Sequence, residues 1–476
     1  MKNKWFPAVL MLCLIWYAVV YVVYAISDWR YDGYTSYIDM VVFLFLAVAY
    51  FVIYRKKDVL CFEVMFIPVF FLGIFFTEVV LAGMDIAGSG IGGMMNNVVT
   101  QSSYILKSRI IQMLAFIVFL LGCVKSNSAK IKESYTWNNY KVMGQDIEFK
   151  TVTVILSLIL LVILIYDYST GKFSTWFAYE LGLSDEERNQ GLGHISAFCL
   201  MMTVTEFSRL SKNNIKNLGM FIRKCNPLYL IEIGLVSLLL LISGNRNEML
   251  LIFLPMVFAY NIFIHKIKSK YIWLGFAAGV VVMIYVGLTR QGDDFDSQER
   301  NLYSATRDYS VLGYNCTYLI KYTDEHKPCS FAGLPFTLLS GVPVAGPAII
   351  GLTGLEYKNT SSKLTTEGMT SVYSDTGLGT SLVGDLYYQA KLPFVIIFMF
   401  LFGYFMSRMH NRFLYEKKYN MVLLLIYLYM SSNAVYYIRQ MWDFPIKDFI
   451  YDSILLGVLC LIFTSKKTIQ LKHNGK

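Results

Sequence analysis

The chain has 476 residues, of which 56% are hydrophobic and only 16% are charged, with a formal net charge of +9. Soluble domains average about 45–50% apolar and 25% charged residues, so this composition excludes an ordinary soluble protein. The charge does not indicate nucleic-acid binding either, because the lysines cluster in short segments beside apolar runs, as in membrane proteins.

Apolar runs of about 20 residues recur along the whole chain, and each is long enough to cross a bilayer. They predict an all-α polytopic membrane protein with about twelve transmembrane helices. The first run has no small-residue cleavage site, which is typical of a signal anchor. The predicted spans are residues 6–26, 38–54, 60–81, 105–124, 151–167, 194–210, 227–243, 249–264, 271–288, 392–409, 420–437 and 447–464.

The basic residues between these runs predict the orientation of the chain. They recur in every second connection, and the opposite short connections are poor in lysine. The positive-inside rule therefore places both termini in the cytoplasm. Three regions follow from this topology: nine spans in residues 1–288, a large outward loop in residues 289–391, and three spans with a cytoplasmic tail in residues 392–476.

The large outward loop is expected to contain helices of its own. Residues 306–327 have helical periodicity, whereas residues 334–355 are apolar but interrupted by three prolines. Proline breaks a helix, so the second stretch predicts one or two short helices at the membrane surface, or a re-entrant segment. Cys316 and Cys329 lie in this loop and could form a disulfide or stay as free thiols, and the sequence favours neither.

Arg246 stands in a tight turn between two apolar runs. Placing an arginine at hydrocarbon depth costs at least about 2.5–3.5 kcal/mol, so an arginine held there is a candidate functional residue. Its natural ligand is an anion such as phosphate. Arg290 directly follows the ninth predicted span, and the same argument applies to it.

Three further arginines are predicted to face outward. Planar guanidinium groups can fork onto diphosphate oxygens and neutralise the charge that grows as a pyrophosphate leaves. For each of these arginines, an ion pair with a nearby carboxylate is the favoured alternative, since exposed pairs are common. They are Arg188, Arg300 and Arg307, with Glu186, Glu299 and Asp308 as the respective neighbours.

The glycine-rich segment 377–388 leads into the tenth predicted span and contains Asp385. Partial desolvation there would make this carboxylate a candidate general base. The alternative is that Asp385 caps or orients a helix end, or pairs with an arginine. Ser381 is a candidate substrate contact, and Tyr309 and Tyr387 could stack on sugar faces, although packing in the core or an interfacial belt is the simpler role for either ring.

The outward loop also contains three aspartates, Asp293, Asp294 and Asp296, whose spacing could hold a divalent cation. Such short carboxylate motifs arise often by chance in polar loops, so a solvated turn is the default interpretation. We expect neither a metal site nor a cofactor.

These features together resemble the bacterial O-antigen and capsule repeat-unit polymerases, the Wzy family. The topology is similar over most of the chain. Locally, Ser243-Gly244-Asn245-Arg246 looks like the family's Gly-Ser-Arg turn, with Asn245 in place of serine. Arg188, Arg290 and the segment 377–388 carry the rest of the resemblance, with Asp385 where many members have glutamate.

The resemblance implies a metal-independent inverting glycosyltransferase of the GT-C type in the bacterial inner membrane. Its substrates would be glycans linked to undecaprenyl diphosphate, and the growing glycan would be the donor. The terminal hydroxyl of one new lipid-linked repeat would attack the anomeric carbon of that donor. The implied partners are these glycans, membrane lipid and a chain-length regulator protein, but no nucleic acid.

Two other functions stay open from the sequence. An O-antigen ligase has nearly the same topology but usually carries a catalytic-type histidine in the large loop, where this chain has only His326 in a Lys-rich turn. A lipid-linked oligosaccharide flippase or transporter is disfavoured by the long outward loop and by the lack of a duplicated half.

Overall fold

The computed structural model describes residues 5–26, 33–55, 58–80, 102–128, 141–142, 145–170, 192–211, 213, 215, 217–242, 246–289, 302–354, 360–370, 379–417 and 420–465. Almost all of them are helical. The helices are α1 Trp5–Ile26, α2 Gly33–Tyr50 continued by a π-helical turn Phe51–Arg55, α3 Phe62–Val80, α4 Ser102–Ser128, α5 Phe149–Ser169, α6 Leu192–Leu210, α7 Leu218–Lys224, α8 Pro227–Ile242, α9 Arg246–Phe263, α10 Ser269–Thr289, α11 Leu302–Glu325, α12 Leu334–Ser340, α13 Ala345–Thr353, α14 Ser361–Thr370, α15 Leu382–Leu414, α16 Met421–Ser432 and α17 Phe444–Ile462.

The predicted helical membrane class is confirmed, since each of the twelve predicted spans overlaps a helix. Within the described residues, five helical segments are long and apolar enough to cross a membrane, and there are six if the α7–α8 pair, which bends by 107°, is one span. Twelve crossings therefore stay a prediction. The large loop contains the expected helix α11 and two short helices, α12 and α13, in the proline-interrupted stretch.

The bundle is built around the contact between α4 and α15, the most extensive helix pair in the described structure. Two glycines allow their backbones to touch. A Cβ atom at Gly122 would lie 2.1 Å from the Phe400 carbonyl oxygen, and one at Gly403 would lie 2.2 Å from the Phe119 carbonyl oxygen. Small residues are the usual means of bringing helices this close in a membrane, where van der Waals packing drives association.

Aromatic side chains fill the space around this crossing. The rings of Phe43 and Phe116 stack with centroids 3.7 Å apart, and Phe66 lies 5.1 Å from Phe119. Phe62 meets Phe402 edge-on at 5.0 Å. Close aromatic pairs add roughly 0.5–1.5 kcal/mol each beyond the area that they bury. They therefore fix α2 and α3 against the α4–α15 core.

Helix α15 extends over 33 residues and connects the two ends of the bundle. Its first two turns carry Asp385 and its last turns carry His410, so the two regions are called the Asp385 end and the His410 end. The helix departs from helical geometry at Ala390 and at Lys391, where φ is 56°. The segment that carries Asp385 is thus set off from the rest of the helix by a kink.

The His410 end gathers several of the basic connections that the sequence predicts on one side. A short antiparallel sheet pairs β2 (Gln145–Ile147) with β1 (Lys141–Val142) and β3 (Thr464–Ser465).

Asp58, which follows the π-helical turn, accepts a hydrogen bond from Tyr415 and interacts with His410 and Lys266. Burial alone would raise the pKa of Asp58, but His410, Lys266 and Arg55 outweigh it and lower that pKa.

Arg55 directly follows the predicted span 38–54, so the sequence places it in a basic cytoplasmic connection. It is buried, and its Nη2 atom lies 2.7 Å from Glu63 Oε1 and 2.8 Å from Ser407 Oγ. The π-helical turn that ends at Arg55 turns the side chain inward, where α3 and α15 supply its partners. The guanidinium is therefore a fixed part of the core at the His410 end.

Candidate active site

The segment that enters α15 is held by three neighbouring elements. Gly379 has φ +76°, a left-handed conformation that suits glycine. Its carbonyl oxygen accepts hydrogen bonds from Thr365 of α14 (2.7 Å) and from Asn315 of α11 (3.3 Å). Thr380 N–H donates to the Arg439 carbonyl oxygen at 3.1 Å. The turn before α15 is thus anchored on α11, α14 and the 3₁₀ turn Tyr437–Arg439.

Asp385 lies directly beyond this turn and is only 1% exposed. Its Oδ2 atom accepts a hydrogen bond from the Trp442 backbone N–H at 2.8 Å, and its Oδ1 atom accepts a longer one from Gln389 at 3.4 Å. The segment before α17 thus holds one carboxylate oxygen, and the Ser361 side chain of α14 also interacts with the carboxylate. The helix-orienting role that the sequence left open for Asp385 fits these contacts.

Ser381 and Tyr387 lie on the same part of α15 as Asp385. Ser381 is the N-cap residue, and its hydroxyl accepts from the backbone of Gly384. Such a cap satisfies an amide group that has no partner within the helix. Tyr387 is buried, and its hydroxyl donates to Asp324 Oδ1 at 2.9 Å. The structure therefore brings three of the predicted site residues together.

A charged cluster beside Tyr387 was not predicted from the sequence. Its centre is Asp324 near the end of α11, which forms an ion pair with Lys107 of α4 and lies 3.8 Å from Lys391 Nζ. The Lys107 ammonium also lies 5.6 Å from the centre of the Tyr387 ring. Two cations share one partly exposed carboxylate, so this cluster carries an excess of positive charge.

Two arginines at the same end were also missed. Arg439 lies against the turn before α15, with its Nε and Nη2 atoms 3.8 Å from the position of a Cβ atom on Gly379. Arg109 of α4 is buried and lies 4.7 Å from the centre of the Phe75 ring. A guanidinium over an aromatic face is a favourable cation–π arrangement, which explains how Arg109 is accommodated among apolar helices.

Helix α17 connects the Asp385 region with the start of α9, where Arg246 is the first residue. Asp443 at the N-cap of α17 accepts a hydrogen bond from Thr337 at 2.7 Å, directly after the Trp442 contact to Asp385. Further along α17, Asp448 accepts from Tyr429 at 2.7 Å and interacts electrostatically with Glu248 of α9. A row of carboxylates thus leads from Asp385 to the first turn of α9.

The other predicted site residues are less well defined. Arg246, Arg307 and Tyr309 lie in helices, but their side chains are not among those described. Arg307 is 17 residues before Asp324 on α11, or about 25 Å along the helix axis. The remaining candidates, Arg188, Arg290 and Arg300, and the aspartates 293, 294 and 296, lie outside the described residues.

The structure shows the contacts of His326 and the oxidation state of the two cysteines in this region. His326 stacks on Tyr322 at 4.2 Å, and its Nδ1 atom lies 3.0 Å from the Tyr322 carbonyl oxygen. Cys316 and Cys329 are both reduced cysteines. Burial raises the pKa of Cys316 to about 11, which keeps this thiol protonated. The disulfide that the sequence left open is not formed.

The comparison with known families decides between the functions that the sequence left open. Residues 11–470 match the family described as O-antigen polysaccharide polymerase Wzy. The chain belongs to the Wzy family. The match covers nearly the whole chain, so the resemblance noted from short motifs is confirmed. No curated protein and no solved structure gives a match.

Membership of the Wzy family makes this chain a membrane enzyme of O-antigen polysaccharide synthesis, a polymerase of the glycosyltransferase type. Wzy proteins act on lipid-linked repeat units. In the described part of this Wzy chain, polar and charged groups from distant parts of the sequence converge around Asp385 and Asp324, as they also do at the His410 end.

Proposed function

We propose that this Wzy polymerase extends O-antigen or capsular polysaccharide at the outer face of the bacterial inner membrane. The hydroxyl oxygen of a new repeat unit attacks the anomeric carbon of the growing glycan, and the bond from that carbon to the diphosphate oxygen breaks. Undecaprenyl diphosphate leaves with the bonding electron pair, and the hydroxyl proton passes to a base. The observation that carries this proposal is the family match over residues 11–470.

The proposed topology has twelve crossings and both termini in the cytoplasm, with the Asp385 end facing outward. It is supported by the loops that meet at the His410 end. The connections around Asp58, Lys266 and Lys417 are all predicted to be cytoplasmic, and all three lie together there. The acceptor and donor glycans would then be accommodated around residues 289–391, which form the large outward loop of this topology.

In this proposal the leaving diphosphate is bound by arginines. Arg246 and Arg290 are the catalytic pair, because a forked guanidinium neutralises two phosphate oxygens in a geometry that a point charge cannot match. Arg439 joins them as a further anion contact, because its guanidinium lies at the turn before α15. The proposed substrate contacts are Arg188, Arg300, Arg307, Tyr309, Ser381 and Tyr387.

Asp385 is the proposed proton acceptor. The Trp442 N–H holds one of its oxygens at 2.8 Å, and the side chains of Gln389 and Ser361 also interact with the carboxylate. Because the carboxylate is buried, the acceptor hydroxyl must displace one of these two side chains to reach it. The enzyme is proposed to need no metal and to invert the anomeric configuration, with a chain-length regulator protein as its partner.

The test is the length of the glycan that each variant makes. Arg246→Ala and Arg290→Ala are expected to abolish long chains while single repeats still reach the cell surface, and Arg246→Lys is expected to restore little. Arg223→Ala is the matched control, because Arg223 is an exposed arginine on α7. Normal glycan ladders from both Arg246→Ala and Arg290→Ala would refute the assignment of these arginines.

A second experiment tests whether Asp385 is the proton acceptor and whether the reaction proceeds without a metal ion. Purified protein is incubated with lipid-linked single repeats and a chelator, and the products are separated on a gel. Asp385→Asn keeps an oxygen that can accept from Trp442 but cannot take up the proton, so we expect a loss of about 10²–10⁴-fold in rate. A rate within threefold of wild type would make Asp385 a positioning residue instead.

A further inference from the structure

A cavity of about 240 Å³ opens at the His410 end, away from the candidate active site. It lies between the end of α9, which contributes residues 261–266, and the end of α15, which contributes Leu414, Tyr415 and Lys417. A water molecule occupies about 30 Å³ in the liquid, so the cavity has room for a group much larger than one water.

The lining of this cavity is basic. Among the described residues that form it, two are lysines, Lys266 and Lys417, one is the histidine His265, and none is acidic. The Lys417 ammonium donates a hydrogen bond to the Ile262 carbonyl oxygen at 3.1 Å. Lys266 lies 5.9 Å from the centre of the Tyr415 ring. Both lysines therefore line one small space.

The backbone places Lys417 there at a cost. Its φ is +51°, in the left-handed region that residues other than glycine, asparagine and aspartate rarely adopt. Burial, and then the neighbouring Lys266, lower the pKa of Lys417, so both act against the charged form of this amine. A bound anion would reverse the second effect and offset the first.

A carboxylate beside this cavity is already shared among several groups. Lys266 Nζ lies 3.5 Å from Asp58 Oδ1 and its side chain is 42% exposed. The Oδ2 atom of the same carboxylate accepts from Tyr415 at 3.0 Å and lies 2.6 Å from His410 Nε2. One carboxylate is thus shared by three neighbouring side chains.

The cavity is also at the depth where lipid headgroups lie. Residue 266 is separated from α10 by two residues, and the first two turns of α10 expose Tyr271 (56%) and Trp273 (51%). Exposed tryptophan and tyrosine next to lysine are typical of the membrane–water interface. Lys270 extends over the Tyr271 ring at 5.0 Å, which strengthens this assignment.

We propose that the cavity between the ends of α9 and α15 binds the phosphate of an anionic lipid headgroup through Lys266 and Lys417. Basic pockets between transmembrane helices on the cytoplasmic side are suited to such headgroups, because lysines near the membrane surface attract anionic lipids. The site is separate from the proposed polymerase site, so neither proposal depends on the other.

The experiment uses the full chain purified in a neutral detergent. Its thermal unfolding is followed while short-chain phosphatidylglycerol, phosphatidylcholine of the same chain length, or inorganic phosphate at equal ionic strength is added. Phosphatidylglycerol is expected to raise Tm in a saturable way, since a ligand that binds only the folded state stabilises it. The other two additives are expected to have much smaller effects.

Variants that each remove one positive charge then show which residues bind the lipid. Lys266→Gln and Lys417→Gln are each expected to weaken the apparent affinity for phosphatidylglycerol about tenfold, the loss of one charge-assisted hydrogen bond. Lys268→Gln removes the same charge from an exposed residue that does not line the cavity, and it should leave the affinity unchanged. The unliganded Tm of each variant reports whether it is folded.

Three results would overturn the proposal. The first is equal stabilisation by the two lipids, and the second is an equal loss of affinity in Lys268→Gln and Lys266→Gln. The third is stabilisation by inorganic phosphate as strong as that by phosphatidylglycerol, which would assign the cavity to a soluble phosphate compound instead of a lipid. None of these results depends on glycan polymerisation.

Discussion

The contact between Gly403 of α15 and the Phe119 carbonyl of α4 leads to a quantitative prediction for Gly403→Ala. The new methyl group would lie 2.2 Å from that oxygen, whereas such atoms essentially never approach closer than 3.0 Å. The helices must therefore separate locally by at least about 0.8 Å, the difference between these distances. A gap of 0.5–1 Å loses about a quarter to a half of the van der Waals attraction across it.

Overpacking of this kind costs about 1–3 kcal/mol or more. Alanine is a better helix former than glycine by up to about 1 kcal/mol, which offsets only part of that cost. We therefore expect Gly403→Ala to lower the Tm of the detergent-purified protein by several degrees. Shorter glycan ladders should follow, because α15 carries the Asp385 segment.

Gly457→Ala on α17 is the matched control, since nothing lies within 4 Å of a Cβ atom built there. It gains the same helix propensity without a clash, so its Tm should equal or slightly exceed that of the wild type. Equal Tm values for Gly403→Ala and Gly457→Ala would refute the argument that the α4–α15 crossing depends on backbone contact.

Three further predictions concern polar side chains in the core and in the candidate active site. Arg55→Met leaves the Glu63 carboxylate buried without its ion-pair partner and should destabilise the protein by about 3–5 kcal/mol in thermal unfolding, whereas adding Glu63→Gln should recover much of the loss. Arg439→Ala should raise the KM for lipid-linked repeats about tenfold or more and Arg439→Lys should restore it only partly, so wild-type kinetics in Arg439→Ala would place this residue outside the site. Tyr387→Phe removes the hydrogen bond to Asp324, and it should lower stability by about 0.5–1.5 kcal/mol while the protein stays folded by circular dichroism.

Regular periodicity made the helices predictable from the sequence. The apolar runs, the helical pattern of residues 306–327 and the prolines in residues 334–355 each correspond to elements of the structure. The proximity of Ser381, Asp385 and Tyr387 could also be predicted, because these residues are close in the chain and lie at the start of one helix.

Contacts between residues that are distant in the chain could not be predicted from the sequence in the same way. Lys107 and Asp324 are 217 residues apart, and one sequence contains no signal that links them. Arg439 follows a predicted span at a short turn, and only its proximity to Gly379 draws attention to it. The π-helical turn before Asp58 rotates Arg55 into the core, whereas the sequence pattern places it in a basic loop.

The kink in α15 holds Lys391 in a strained backbone conformation. Backbone angles of φ 56° and ψ −158° are almost confined to glycine, and holding another residue there stores roughly 1–3 kcal/mol of torsional strain. The ion pair between Lys391 and Asp324 bridges α15 and α11 across this joint. The strained joint at residue 391 therefore separates the two turns that carry Asp385 from the rest of α15, and a change at Asp324 acts both on α11 and on that joint.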